Sequence, residues 1–347
     1  MSASVRAASL SNYVEVARQV RLDPRRTLRE AGLDSRALTD PDTRIPVAAV
    51  AELLEKSAER SGCPTFGLRM AESRQLSDFG ALSLLIKQQL TLRDVMATIA
   101  RHRYILNEAL ITQIDDSGDL VIVREEFMLE TTCTLRQSYE LAVGTLFRMF
   151  RALLGARWQA ISVNFVHAAP ADLNIHRRLF GSRIEFDSEF NGFVCLAADV
   201  DRPNPVADPV LAKYAQQFID TLPDSSREAT THEVRKAIYL LLPGGDASIT
   251  RIAESLGLNV RTLQRRLDAS GAEYSDLLNG VRKGLAVRYL ENHNYSLTRV
   301  AQMLGYSQLS SFTRWFALQF GTSPTQWRNE QNTAETRKSQ RKNSRRH

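Results

Sequence analysis

The sequence predicts a multidomain chain, with an α+β N-terminal domain followed by an all-α domain that carries two helix-turn-helix motifs. Three observations lead there. At about 150 residues per domain, 347 residues make two domains or three. Residues 248–259 read SITRIAESLGLN and residues 296–307 read SLTRVAQMLGYS, so Ser, Thr, Arg, Ala, Leu and Gly recur in register. Upstream of this repeat, helical and strand-like patterns occur in separate blocks rather than in strict alternation, which favours α+β over a parallel α/β sheet.

In chain order, Asp23-Pro24 is an N-cap followed by proline at the first helical position, and Gly32 closes that segment. Pro46 opens VAAVAELLEKSAERS and Gly62 ends it. Leu82, Leu85, Ile86 and Leu90, then Val95, Ile99 and Tyr104, predict two further helices split near Thr91. ALITQI and DLVIVREEF flank Asp115-Asp116-Ser117-Gly118, a hairpin pattern with a glycine-bearing turn. Leu135 to Leu154 has helical spacing, ISVNFVH (161–167) alternates as a strand, and RIEF and GFVCLA predict two more. Leu211 to Leu222 is helical between proline-rich flanks, and DSSREATT follows, which places a linker at 221–232.

Each copy of the repeat has the same physical logic. Ser248 and Ser296 are N-cap candidates, because a hydroxyl accepts from an orphan N–H of the first turn. Ile249, Ile252, Ala253 and Leu256 make an apolar stripe, as do Leu297, Val300, Ala301 and Leu304. Gly257 and Gly305 stop the helices, and Asn259 and Ser307 are placed to cap a second helix. Helix, tight turn, helix is the helix-turn-helix plan. In the first second-helix Val260, Leu263 and Leu267 face inward, leaving Arg261, Gln264 and Arg265 on the other side. Arg suits a bidentate contact to guanine and Gln one to adenine. In QLSSFTRWFALQF, Phe312 and Phe316 face in while Ser310, Ser311, Thr313 and Arg314 face out. The path from glycine to the first large apolar anchor is one residue longer there (Gly305 to Phe312, against Gly257 to Leu263). A connecting helix is expected from Glu273 to Glu291, with Arg282 and Arg288 available to phosphates.

Composition narrows the function classes. With 43% hydrophobic and 24% charged residues the chain has ordinary globular composition. No run approaches the ~18 apolar residues of a spanning helix, and Arg6, Arg18, Arg21, Arg25 and Arg26 interrupt any secretory apolar segment near the start. Cys63, Cys133 and Cys195 are odd in number and far apart, which fits a reducing cytoplasm and excludes a disulfide scaffold. The whole formal charge of +6 is matched by Arg337, Lys338, Arg341, Lys342, Arg345 and Arg346, so the basic excess lies in a C-terminal tail. A polyanion is the partner that this distribution suggests. No nucleophile elbow, P-loop or dinucleotide fingerprint is present. His102, His167, His176, His232, His293 and His347 show no metal-ligand spacing, so no cofactor is expected. His167 is expected to end a strand with a structural hydrogen bond, and the three cysteines are expected to be buried small apolar residues.

At the repeat and the stretch that follows, the chain resembles the AraC/XylS family of bacterial transcription regulators. Residues 305–328, GYSQLSSFTRWFALQFGTSPTQWR, resemble that family's C-terminal signature throughout. The resemblance implies a seven-helix domain at roughly 236–331, with two recognition helices entering successive major grooves of double-stranded DNA. By position it implies base reading by Arg261, Thr262, Gln264 and Arg265 and by Ser310, Ser311, Thr313 and Arg314, with Arg282 and Ser307 on phosphates. Ala317 and Leu318 stand where the family often has a basic pair, which weakens phosphate contact there. Phe66 to Arg69, His167 to Asp172, Arg177 to Gly181, Phe186 and Arg202 to Pro209 resemble the arabinose-binding-like N-terminal module of one branch of the family. That implies effector sensing and self-association over roughly 10–220, without implying arabinose as the ligand.

The expected organisation is therefore a sensing and dimerisation domain at 1–220, a linker at 221–232, a DNA-binding domain at 233–331 with motifs near 248–267 and 296–320, and a basic disordered tail at 332–347. The expected function is a cytoplasmic, homodimeric, non-enzymatic DNA-binding regulator with an unidentified small effector, touching RNA polymerase if it activates. A cysteine-dependent alkyl-transfer enzyme fused to a DNA-targeting module is the alternative.

Overall fold

The structure, a computed structural model, describes residues 3–129, 133–181, 183–222, 226–245, 247–291 and 295–329. Two compact units divide the chain, Met1–Asp224 and Ser225–His347.

The first unit is α+β. Strands β1 (Ser4–Arg6) and β2 (Arg44–Pro46) form a small antiparallel ladder that the sequence patterns did not announce. Strands β3 (Leu110–Ser117), β4 (Leu120–Phe127), β5 (Ser162–Asn164), β6 (Arg183–Glu185) and β7 (Gly192–Leu196) make a sheet in the order β3-β4-β7-β5-β6. Only the β5–β6 pair is parallel.

Two details depart from the sequence expectation. The hairpin turn is not at 115–118: Asp115, Asp116 and Ser117 pair with Ile122, Val121 and Leu120, so the loop is Gly118-Asp119 alone. Gly118 takes φ 64° there, a conformation that costs glycine little. The 161–167 strand shortens to Ser162–Asn164, because the Asn191 side chain takes the Val166 N–H at 3.0 Å and the Asn164 amide turns to Ser188 at 3.1 Å.

Helix signals hold locally. Asp23 accepts from the N–H groups of Arg25 and Arg26 to start Pro24–Glu30. Thr91 and Asp94 form a capping box that starts Leu92–Arg101, a helix that ends before Tyr104, which lies in the separate Arg103–Leu106 turn. The core forms where the Arg136–Leu154 helix lays Phe147 and Phe150 on the sheet. Phe150 meets Phe193 edge-on at 4.8 Å, and Phe147 meets Phe180 at 5.0 Å. The same helix lies close to Phe66–Ala71: a Cβ on Gly144 would fall 2.6 Å from the Ala71 methyl, and one on Gly67 would collide with the Gln137 carbonyl.

On this helix Glu140 is fully buried. His176 Nε2 hydrogen-bonds its Oε1 at 3.3 Å, His167 Nε2 lies at the same 3.3 Å, and Arg136 lies at 3.4 Å. Burial alone would push the carboxyl up, but the two imidazoles and the Arg136 charge outweigh it and hold it at about 2.

The second unit is all-α. Its helices are Ser226–Leu241, Ile249–Ser255, Val260–Ala269, Tyr274–Glu291, Leu297–Met303, Leu309–Phe320 and 324–329, the seven among the described residues. Residues 226–232, expected as linker, belong to the first of these helices. The segment has Ser, Arg, Glu and Thr, none of which breaks a helix, and Val234, Ile238 and Leu242 anchor its continuation in the core. The basic tail lies outside the described residues.

A Glu folded-state value below its ordinary 4.5 contributes stability that is complete above that value and lost as pH falls through it towards about 2. The N-terminal unit should therefore lose stability between pH 5 and pH 3 in denaturant titrations. Glu140→Gln should cost about 3 kcal/mol at neutral pH and flatten that dependence, and an unchanged slope in the variant would remove Glu140 as its source.

Candidate nucleic-acid interface

The two repeat units fold alike, bond for bond, through their turns. Ser248 Oγ accepts from Arg251 N–H at 3.3 Å and Ser296 Oγ from Arg299 N–H at 3.1 Å, so both serines cap as expected. Each first helix ends in a Schellman turn. Leu258 N–H reaches Ala253 O at 2.8 Å, and Tyr306 N–H reaches Ala301 O at 2.9 Å. Between them Gly257 and Gly305 take φ of 66° and 74°.

The units then diverge. Asn259 caps Val260–Ala269 by accepting from Thr262 N–H at 2.8 Å. Ser307 does not cap its helix: Leu309–Phe320 starts one residue later, with Gln308 at the N-cap position and no side-chain bond there. The extra residue lies in the turn, so the register of the glycine moves against that of the helix while the apolar anchors still reach the core.

The inward residues are as the periodicity predicts. Leu263, Leu267, Phe312 and Phe316 are buried, beside Ile252, Ala253, Val300, Ala301 and Leu304. Arg261, Gln264 and Arg265 are exposed on the outer face of the first recognition helix. Thr262 is half-buried. On the second, Ser310, Ser311 and Arg314 are exposed, and half-buried Thr313 donates its hydroxyl to Leu309 O at 2.9 Å. Ser307 is exposed in the turn. Arg266, which the sequence pattern does not single out, is also exposed.

Arg282 has a structural role that its sequence position did not reveal. Its Nε donates to the carbonyl of Leu304 at 3.0 Å, and its guanidinium lies 4.6 Å from the Tyr306 ring centroid. It thus caps the C-terminus of Leu297–Met303 and stacks on the turn at once. Trp315 Nε1 donates to Asn279 Oδ1 at 3.3 Å, and Tyr274 OH to Ala247 O at 2.6 Å. These bonds tie both units to the Tyr274–Glu291 helix.

Elsewhere, Cys63 and Cys195 are buried and Cys133 is half-buried. Burial pushes the Cys195 thiol up to about 12. His167 lies beyond the strand rather than at its end. It places Nδ1 3.0 Å from Ala168 O, and it shares Glu140 with His176, a pairing that no sequence spacing disclosed. Among the described residues no helix is long and apolar enough to cross a membrane.

Comparisons with known proteins agree with this geometry. Residues 22–204 match the arabinose-binding domain of AraC transcription regulators, and residues 252–330 match a helix-turn-helix domain. The chain is 30% identical over 328 residues to the HTH-type transcriptional regulator VirS of Mycobacterium tuberculosis, covering 93% of this chain and 96% of the relative. It is 25% identical to the ornithine utilization regulator of Pseudomonas aeruginosa over 90% of this chain and 91% of that one. A third relative, VqsM of the same bacterium, is 24% identical over 76% of this chain and 83% of its own. With its N-terminal domain matched over more than half of the chain, and with two capped helix-turn-helix units following it, the protein belongs to the AraC family of DNA-binding transcriptional regulators.

Proposed function

We propose that the chain is a sequence-specific regulator whose C-terminal unit reads double-stranded DNA in two successive major grooves and whose N-terminal unit senses a small effector. The observation that carries this reading is the repeated outer face: two recognition helices, each with an anchored apolar side and exposed hydrogen-bonding groups opposite. Arg261, Thr262, Gln264 and Arg265 are the base-reading set of the first helix, and Ser310, Ser311, Thr313 and Arg314 of the second. Ser307 would meet a phosphate from the exposed turn. Arg282 would do so only with the N–H groups that its bond to Leu304 leaves over. At ~1.5 Å per residue, the 18 residues of Tyr274–Glu291 make a connecting helix of about 27 Å, most of the roughly 34 Å of one DNA turn.

Transfer of an alkyl group to cysteine needs a thiolate, and the Cys195 environment opposes one. At Cys195 this counts against the repair-enzyme alternative. A second copy of the chain is the expected partner, with RNA polymerase added if the protein activates. The Pro209–Asp220 helix supports self-association, because Val210, Leu211, Tyr214 and Phe218 lie exposed along it at helical spacing.

Arg265→Ala and Arg314→Ala should each weaken binding to a selected operator by about 1–3 kcal/mol and change random-sequence binding little. Fluorescence anisotropy at about 150 mM salt, where non-specific binding is suppressed, separates the two. Equal losses on both DNAs would remove these side chains from base reading. Truncation after residue 331 should weaken operator and random DNA alike and flatten the salt slope by roughly 0.9 for each phosphate that is no longer neutralised; an unaltered slope would exclude the tail from the interface. Tyr214→Glu with Phe218→Glu should shift the protein from dimer to monomer in sedimentation velocity. A dimer that survives both changes would place the interface elsewhere.

A further inference from the structure

The N-terminal unit holds a partly open, largely apolar cavity of about 170 Å³ between the β3–β4 hairpin, the Arg136–Leu154 helix and the segments around Val5 and Arg74. That is close to the volume of an engineered apolar cavity that takes up benzene, about 150 Å³. Val47, Val50, Leu54, Ile99, Leu141 and Leu146 supply much of its wall.

Charged groups also stand in that wall. Arg6 is paired with Asp42 at 2.6 Å. Arg74 bonds the carbonyls of Ala8 and Ser9 and has Asp78 at 4.0 Å. Each arginine therefore has a carboxylate. Glu125 has no such counter-charge. It stands directly across from Thr112, on the strand face that also presents Leu110 and Phe127, and all four line the cavity. Its side chain is 2% exposed. Thr112 Oγ1 donates to Oε1 at 2.6 Å, while Oε2 is buried with no hydrogen-bond partner. Its neighbours on the strand are Arg124, which pairs with Asp115 at 2.8 Å, and Glu126, an acid whose charge raises it further. A buried carboxyl without a cation costs several kcal/mol to ionise, and here burial pushes it up to about 8. Once ionised, Glu125 needs a positive partner that its surroundings do not pair with it.

We propose that this cavity is the effector site and that it takes a small primary amine, an alkylamine or aralkylamine, with the ammonium on Glu125 and the apolar body against the valine and leucine wall. The proposal rests on the reading of the N-terminal unit as a sensor and adds the chemistry of what is sensed. A bound monocation keeps the cavity neutral by exchange: Glu125 gives its proton to solvent and ion-pairs with the ammonium, while Arg6 and Arg74 keep their own carboxylates. A carboxylate ligand would meet the Arg74 Nε, which has no hydrogen-bond partner, but would have to stay near Asp78 and Glu125 to do so.

Calorimetric titration of the full chain with butylamine to octylamine and phenethylamine, and with hexanol and hexanoate as matched controls, tests this. Hexylamine or phenethylamine should bind at least about tenfold more tightly than hexanol, the scale of one charge-assisted hydrogen bond. Hexanoate should bind more weakly than either. Glu125→Gln should remove the amine preference and leave hexanol within about twofold. The unmodified protein gives a second measurement that does not depend on the variant's folding. Amine affinity should fall about tenfold per pH unit from pH 8 to pH 6, as Glu125 takes up its proton, with hexanol flat. Overturning results are equal binding of hexanol and the amines, preference for hexanoate, no amine binding at all, or amine affinity unmoved by Glu125→Gln or by pH. If the amines bind at Glu125 and operator affinity does not change, the site stands and the sensing role falls. If no amine binds while operator binding stays specific, this site falls and the DNA reading stands.

Discussion

At Gly257 and Gly305 the backbone passes through φ of 66° and 74°, a region where a Cβ would crowd the following carbonyl. Everything proposed for the C-terminal unit depends on those two turns. A Schellman turn reverses the chain within two or three residues and fixes the angle at which the next helix leaves. The apolar anchors then set the rotation of that helix about its axis: Leu263 and Leu267 in one unit, Phe312 and Phe316 in the other. Turn and anchors together decide which side chains stand outside. The extra residue before Leu309 would rotate the second helix by about 100° if the helix simply lengthened. It is absorbed in the turn instead, so the outer face survives.

The N-terminal unit is arranged on a different constraint, close approach of helix to helix. Gly67 and Gly144 remove the two side-chain atoms that would keep Phe66–Ala71 and Arg136–Leu154 apart. On the same helix Glu140 is fully buried, and two imidazoles and Arg136 compensate it from within the protein. Glu125 is the opposite case in the same unit. It is equally dry but has a single hydroxyl donor. Each acid leaves one oxygen without a hydrogen-bond partner, but Glu140 has Arg136 and two imidazoles beside it and Glu125 has neither.

Much of this is legible in the sequence because it is local. A cap needs a side-chain oxygen two or three residues before an N–H, and Ser248, Ser296, Thr91 and Asp23 all occur with their partners in the next turn. Periodicity places the buried faces of the recognition helices correctly for the same reason. What escapes are pairings between distant segments. Arg282 meets Leu304 and Tyr306, and Glu140 gathers His167 and His176, at separations with no motif to mark them. The hairpin turn falls later than its residues suggest because three polar side chains before Gly118 look like a loop, yet their pairing continues to Ser117. Glu125 is visible in principle. In DLVIVREEF the inward face runs Val121, Val123, Glu125, Phe127, and a carboxylate in an alternation of apolar residues is a departure that asks for a cause.

The two recognition helices are also chemically unequal. Arg261, Gln264 and Arg265 are long, and two of the three are cationic, so the first helix offers forked donors and an amide on its exposed face. The second offers Ser310, Ser311 and one arginine, with Thr313 partly occupied by its own backbone bond. Short side chains let a helix approach the groove more closely, but each hydroxyl makes a single, non-discriminating contact. Farther along that helix Ala317 is exposed and Leu318 is 78% exposed, leaving apolar surface where a cation would hold a phosphate. On the proposed reading, base discrimination is concentrated in the first unit. The second has Arg314 as its one long donor, and its helix is held by the turn that Arg282 clamps and by the Trp315 bond to Asn279. The two copies thus share their first-helix caps and their glycine turns, while the second helices differ in cap and in outward face.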